Sequence, residues 1–192
     1  MAIEIAVAVG DSAPRQLKSL ENPWSQSFHS CAELIRGGLG AYAVRVDHIG
    51  STAVPGLGGR RQLDIQVSVP EPEAEEEYRG VLQGLGFALH IREADRRVFV
   101  ASEGALPAYA PRCETHVYVC RSGGVVEYDQ LLLVAYLTAH AERRSQYDEL
   151  KRRFTRKLPD QVAYAQAKGL FLRETVRLAH RANTDPRSVS GL

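Results

Sequence analysis

Residues 48–69 read HIGSTAVPGLGGRRQLDIQVSV and join a hydroxyl-bearing turn to a strand that carries an acid. A β-prone run through Val46 ends at Gly50, Ser51 and Thr52. Glycine has no Cβ, so backbone N–H groups can come close to a ligand there, and the two hydroxyls add donors. The turn is therefore a candidate phosphate site, although Gly-Ser-Thr also suits a plain chain reversal that caps a helix.

The strand after the turn has two unlike faces, because residues 63–69 alternate strictly between apolar and polar side chains. Its apolar face carries Leu63, Ile65, Val67 and Val69, and its polar face carries Asp64, Gln66 and Ser68. We expect the apolar face to lie in the core and the polar face to meet water or a ligand. Asp64 follows the turn closely enough for both to meet at one end of a sheet.

The remaining secondary structure alternates helices and strands before a helical last third. The patterns predict strands over 3–9, 43–49, 63–69, 87–92, 96–102 and 114–121, and helices over 25–39, from the prolines at 70 and 72 to Leu85, and in several segments after 125, including 160–181. In the strand at 114–121, Glu114, His116, Tyr118 and Cys120 share one face. His48 precedes the turn, and we expect it to orient the bend through a backbone hydrogen bond.

Composition indicates an ordinary globular chain. Its 192 residues can bury one substantial core, and a net charge of +1 gives no strong signal for nucleic acid. No apolar run approaches the ~20 residues of a membrane span, and the start lacks a basic leader. The three cysteines form no disulfide or zinc pattern. We therefore expect a cytoplasmic protein with reduced thiols, no membrane partner and an oligomeric state that the sequence does not define.

Several motifs together resemble the GrpB (UPF0157) family, a branch of the DNA polymerase β-like nucleotidyltransferase superfamily. They are HIGSTAVPGL followed by DIQV, PWSQSF at 23–28, THVYV at 115–119, YDELK at 147–151 and YAQAKGLF at 164–171. The resemblance implies an α+β fold with a mixed, mostly antiparallel nucleotidyltransferase-like sheet, flanked by helices and followed by a helical C-terminal third. It implies one domain over 1–182 and a flexible tail over 183–192.

The chain departs from the family's patterns at three places. Gln66 stands where the superfamily has its second strand acid, and it is a poor Mg²⁺ ligand. Relatives typically read A-A-K-P where this chain has Gly58-Gly59-Arg60-Arg61, which keeps a cation at Arg60. Relatives often carry H-L-H-V and F-R-D-Y-L-R, whereas residues 116–119 read HVYV and 133–138 read LVAYLT.

The resemblance also implies a chemistry, the Mg²⁺-dependent transfer of a nucleotidyl group from a nucleoside triphosphate to a small acceptor. It implies that the strands carrying Asp64 and His116 are neighbours. The implied catalytic residues are Asp64, His116 and Glu114, the metal ligands are Asp64 and Glu114, and the substrate or phosphate contacts are Gly50, Ser51, Thr52, Arg60, Gln66, Tyr118, Tyr164 and Lys168. His116 acts in this scheme as a base or as a ligand.

Two other interpretations remain open from the sequence. The chain can be a binding protein that takes a nucleotide, a phosphate or another small acid without transfer chemistry, as the neutral Gln66 favours. It can also be a metal-independent enzyme that uses Glu114, His116, Tyr118 and Lys168 as acid or base groups. Because one fold supports several chemistries, the resemblance alone does not choose among these functions.

Overall fold

The computed structural model describes residues 23–58, 62–106, 113–156 and 161–182. The predicted strand at 3–9 and the tail at 183–192 lie outside these ranges. Within them, the helices are α1 (Pro23–Leu39), α2 (Arg79–Gly84), α3 (Val125–Ala139), α4 (Ala141–Arg156) and α5 (Gln161–Arg181), and the strands are β1 (Arg45–Ile49), β2 (Gln62–Val69), β3 (Ala88–Arg92), β4 (Arg96–Ala101) and β5 (Glu114–Arg121). A 3₁₀ turn, Ser51–Ala53, follows β1.

The described strands form one mixed sheet in the order β1-β2-β5-β4-β3. Strand β2 runs parallel to β5, and the other neighbouring pairs, β1 with β2, β5 with β4 and β4 with β3, are antiparallel. The mixed, mostly antiparallel sheet and the helical C-terminal third confirm the predicted fold class. The parallel β2–β5 pair also confirms that the strands carrying Asp64 and His116 are neighbours, with these two residues directly opposite each other.

Each face of the sheet packs against its own set of helices. The alternate residues Leu63, Ile65 and Val67 of β2 join the apolar side chains of α1 and α2 in one core cluster. A second cluster brings α3, α4 and α5 together over the other face, with Ile49 of β1 and Tyr118 of β5 among its members. The polar side of β2 therefore faces the C-terminal helices, and the region between them, which we call the cleft, contains the candidate site residues of β2.

The helix predicted from the prolines at 70 and 72 to Leu85 is shorter in the structure. Only a 3₁₀ turn, Glu75–Glu77, and the six-residue α2 form there. The acids of this segment are held by other elements, because Glu75 pairs with Arg92 and Arg97 and Glu73 pairs with Arg121. These ion pairs reach across to the sheet instead of supporting a continuous helix. No helix in the described ranges has both the length and the apolar composition needed to cross a membrane.

Candidate functional site

The turn and the strand acid meet where the sequence predicts. Gly50 has φ +72° and ψ −166°, a backbone conformation that residues other than glycine rarely adopt. A Cβ placed on Gly50 would lie 2.9 Å from the Asp64 Cβ and 3.0 Å from its Cγ, with Asp64 Oδ2 closer still. The carboxylate of Asp64 therefore lies directly against the backbone of the turn, and only glycine leaves room for it.

The other carboxylate oxygen of Asp64 receives two hydrogen bonds. Gln62 Nε2 donates to Asp64 Oδ1 at 2.7 Å, and the Tyr118 hydroxyl donates to the same atom at 3.3 Å. Burial, followed by the charge of Asp64, raises the pKa of Tyr118 well above its ordinary value, so the hydroxyl stays protonated. Strand alternation predicts the face that carries Tyr118, and the same alternation, extended one residue before Leu63, would have placed Gln62 on the face of Asp64.

His116 and Glu114 form a pair on β5 beside Asp64. His116 Nε2 lies 2.8 Å from Glu114 Oε1, and His116 Nδ1 lies 3.5 Å from the Tyr118 hydroxyl. The histidine side chain is 4% exposed and the glutamate side chain is 28% exposed. Glu114 is therefore the more exposed member of the pair, and the contact with the buried His116 restrains its carboxylate.

The polar face of β2 is less open than the sequence predicts. Asp64 is half-buried, but Gln66 is 1% exposed and Ser68 is fully buried. The expectation that all three side chains meet water is wrong for Gln66 and Ser68, because the C-terminal helices cover this part of the sheet, and a ligand contact of Gln66 stays a prediction. The Nε2 atom of Gln66 is buried without a hydrogen-bond partner, so Gln66 stands beneath the site and not on its surface.

His48 contacts the turn through the side chain of Thr52, and not through the backbone hydrogen bond that we expected. Its Nε2 lies 3.0 Å from the Thr52 hydroxyl oxygen, and its ring stacks on Phe28 with 5.0 Å between the ring centroids. Burial, with a further contribution from His29, lowers the pKa of His48 to about 4, so the ring is neutral at pH 7. Thr52 is thus engaged with His48, and Ser51 is the half-buried hydroxyl of the turn.

A buried lysine that the sequence did not single out holds the segment after the turn. Lys151 of α4 is 5% exposed, donates to the Gly58 carbonyl oxygen, and lies 4.7 Å from the centroid of the Tyr147 ring. Burial lowers the pKa of Lys151 to about 7; Asp148 opposes this shift, and Lys168 adds to it. The charge of the predicted phosphate contact Lys168 therefore acts on Lys151.

We expect Lys151 to make the stability of the fold depend on pH. Its folded pKa of about 7 lies below the ordinary 10.5, so above pH 7 the unfolded chain binds more protons and stability rises with pH. Relative to Lys151→Met, the natural chain should gain about 2 kcal/mol of unfolding free energy between roughly pH 7 and pH 9, measured by urea denaturation. Arg153→Met, which removes an exposed cation of the same helix, is the control, and equal pH profiles for the natural chain and Lys151→Met would contradict the assignment.

Two predicted contacts cannot be placed. Arg60 lies outside the described residues, and so does the side chain of Tyr164. The structure brings Gly50, Ser51, Asp64, Glu114, His116 and Tyr118 together. The catalytic and ligand-binding roles of all these residues stay predictions.

The donor set suits a Mg²⁺ ion that arrives with phosphate. In the part of the chain that the structure describes, no three His, Cys, Asp or Glu side chains are grouped so that they could hold a metal ion. Asp64 and Glu114 supply carboxylates from adjacent strands, while the buried Gln66 adds no charge. Mg²⁺ is commonly bound by one or two carboxylates, several waters and the phosphates of a substrate, so the residues fit that mode.

Comparisons with known proteins show which sequences and which folds this chain is similar to. The family model described as GrpB protein matches residues 14–177. A UPF0157 protein of Streptomyces coelicolor is 32% identical over 153 residues, which are 79% of this chain and 77% of that protein. The crystal structure of the conserved protein GrpB from Enterococcus faecalis superimposes with a TM-score of 0.74 at 21% identity, over 88% of this chain and 99% of that one. The structure of Cid1 in complex with its short product ApU gives a TM-score of 0.53 at 14% identity, over 72% of this chain and 43% of Cid1, which shows a shared nucleotidyltransferase-like fold.

Proposed function

Since this chain belongs to the GrpB family, whose fold is that of nucleotidyltransferases, we propose that its cleft binds a nucleoside triphosphate with Mg²⁺ and transfers the nucleotidyl group to a small acceptor. The observation that carries the proposal is the contact between Gly50 of the turn and the carboxylate of Asp64. An anion site and a metal-binding acid are thereby joined in one place, next to the Glu114–His116 pair of the neighbouring strand.

The turn and the cations near it hold the phosphates in this proposal. Backbone N–H groups at Gly50 and the hydroxyl of Ser51 donate to phosphate oxygens, and Lys168 offsets their charge. The charge of Lys168 lowers the pKa of Lys151, which is bonded to the Gly58 carbonyl, and this supports a position for Lys168 near the segment that follows the turn. Arg60 lies two residues beyond Gly58 in the sequence and is proposed to add a second cation.

The transfer step needs an acceptor that loses a proton. Its hydroxyl oxygen forms a bond to the α-phosphorus, the bond from that phosphorus to the bridging oxygen breaks, and pyrophosphate leaves. Glu114 takes the proton from the acceptor, while His116 fixes the carboxylate through the 2.8 Å contact. A Mg²⁺ ion bound by Asp64 and Glu114 would supply charge stabilisation at the reacting phosphate.

Transfer is tested by incubating the chain with each of four nucleoside triphosphates labelled at the α-phosphate, together with a mixture of small cell metabolites. We expect Mg²⁺-dependent release of pyrophosphate and movement of the label to an acceptor. Glu114→Gln should lower the rate by at least about 100-fold, since the variant loses both the general base and one of the two proposed carboxylate ligands of Mg²⁺. Glu149→Gln, at an exposed position of α4, is the control and should leave the rate unchanged.

A second candidate function is nucleotide binding without transfer. The observation that favours it is the buried Gln66 at the position of the superfamily's second acid, since a neutral side chain with 1% exposure contributes no charge to a metal. The same incubation separates the two functions. Saturable binding of a nucleoside triphosphate with no pyrophosphate above the background of a chain-free control would contradict transfer and support this second function.

A further inference from the structure

We propose that Lys151 is a positioning residue for nucleotide binding: by tying Gly58 to α4, it holds the turn after β1 in the conformation that accepts phosphate. The lysine acts on the turn and not on the ligand. The inference rests on the proposed function, because the phosphate in question belongs to the nucleotide.

The segment 50–58 is attached to different elements at its two ends. At its start, the backbone of Gly50 lies against Asp64 of β2. At its end, the carbonyl oxygen of Gly58 accepts a hydrogen bond from Lys151 of α4. Backbone hydrogen bonds inside the segment span three residues each, so they shape it without attaching it to the rest of the fold. Lys151 therefore supplies a polar attachment for the end of the segment that lies away from the sheet.

Helix α4 presents one face to this segment. Arg144 and Lys151 are seven residues apart, close to two helical turns, so they lie on the same side of the helix. Arg144 Nε lies 4.0 Å from the position that a Cβ on Gly56 would take, and Lys151 bonds Gly58 two residues later. Between them, the Tyr147 ring lies 4.7 Å from the lysine nitrogen. The position of this face thus determines where the end of the segment lies.

The same face of α4 is fixed by the two helices beside it. Arg144 Nη1 donates to the carbonyl oxygens of Leu137 and Thr138 at the end of α3, at 3.0 and 2.9 Å. The Tyr147 ring stacks on Phe171 of α5, with 5.3 Å between the ring centroids. Helix α4 is therefore a firm support for the turn and its following residues.

The stability of the fold does not explain why a lysine stands at this position. Lys151 is 5% exposed, and burial disfavours its charged form strongly enough to lower its pKa to about 7. An unbranched apolar side chain such as methionine would fill the same space without that desolvation cost. The hydrogen bond to Gly58 gives the lysine a role in placing the segment that methionine cannot take.

Loss of this hydrogen bond should make the binding-competent turn a minor conformation. A hydrogen bond that involves a charged group shifts an equilibrium by about tenfold or more, and apparent affinity falls with the competent fraction. We expect Lys151→Met to bind nucleotide about tenfold more weakly than the natural chain. In the ligand-free protein, the amides of Val54 and Leu57, which are bonded inside the segment, should exchange with solvent at least about tenfold faster.

Two measurements on the same proteins test the role. Nucleoside triphosphates with a methylene bridge between the α- and β-phosphates are titrated calorimetrically in saturating Mg²⁺, and amide hydrogen exchange is followed without ligand. Lys151→Gln keeps a donor and should lie between the natural chain and Lys151→Met in both measurements. Arg153→Met removes an exposed cation of the same helix and should match the natural chain. Urea denaturation at pH 7 should show Lys151→Met to be at least as stable as the natural chain.

The outcomes separate positioning from direct contact and from a purely structural role. Weaker binding with unchanged exchange at Val54 and Leu57 would assign Lys151 to the phosphate itself and overturn the inference. Unchanged binding in both Lys151 variants, or a loss of stability with faster exchange throughout the chain, would overturn it as well. Absence of nucleotide binding by the natural chain contradicts the proposed function, and the inference falls with it.

Discussion

Gly50→Ala is expected to lose ligand binding at the turn and about 3 kcal/mol of unfolding free energy, by two additive causes. The backbone at φ +72° and ψ −166° costs a non-glycine residue on the order of 1–3 kcal/mol. The new methyl group would also stand 2.9 Å from the Asp64 Cβ, so the acid or the turn must move. Either movement separates the anion site from the metal-binding carboxylate.

A second glycine separates these two causes. Gly104 also has a positive φ, +84°, but an added Cβ there meets no atom within 4 Å. Gly104→Ala should therefore lose only the backbone contribution and retain binding. Urea denaturation and nucleotide calorimetry on both variants measure the difference, and equal losses in the two would show that the contact with Asp64 is not important.

The sequence predicts the framework of the site because strand periodicity is a short-range property. Alternation in 63–69 places Asp64 on the face of β2 opposite to Leu63, Ile65 and Val67. The same alternation in 114–121 places Glu114, His116 and Tyr118 on one face. The family resemblance further predicts that the strands carrying Asp64 and His116 are neighbours, and the β2–β5 pairing confirms this. These elements needed no knowledge of how the helices pack.

Sequence patterns did not predict the side-chain contacts between elements that are distant in the chain. Gln66 has the polarity of a surface residue, yet the helices of the last third bury it, and no local pattern reports where a helix will pack. Lys151 belongs to the YDELK motif, and only the fold brings it to the Gly58 carbonyl. His48 was assigned to the turn, but its partner proved to be the Thr52 hydroxyl instead of the backbone.

Asp64→Asn is expected to remove most of the effect of Mg²⁺ on nucleotide binding. Asparagine has almost the same shape, so the contact with Gly50 and an oxygen acceptor for Gln62 and Tyr118 can be kept. What is lost is the negative charge that a hard cation requires of its ligand. We expect a loss of about 100-fold in Mg²⁺-dependent affinity with little change in the folded structure.

Asp47→Asn is the matched control for that charge. Asp47 lies on β1 and pairs with Arg45 at 2.8 Å, so its variant removes a half-buried strand carboxylate from the same sheet without touching the turn. Its binding affinity should remain that of the natural chain. A comparable loss in Asp47→Asn would trace the effect to the general charge of the sheet instead of to a ligand role for Asp64.

The metal-ligand role of Asp64 is tested by a calorimetric titration of nucleoside triphosphates with a methylene bridge between the α- and β-phosphates into the natural chain and Asp64→Asn, each with and without Mg²⁺. We expect Mg²⁺ to tighten binding to the natural chain by about 100-fold and binding to Asp64→Asn by about threefold or less. Equal tightening in both proteins, or no binding by the natural chain, would contradict it.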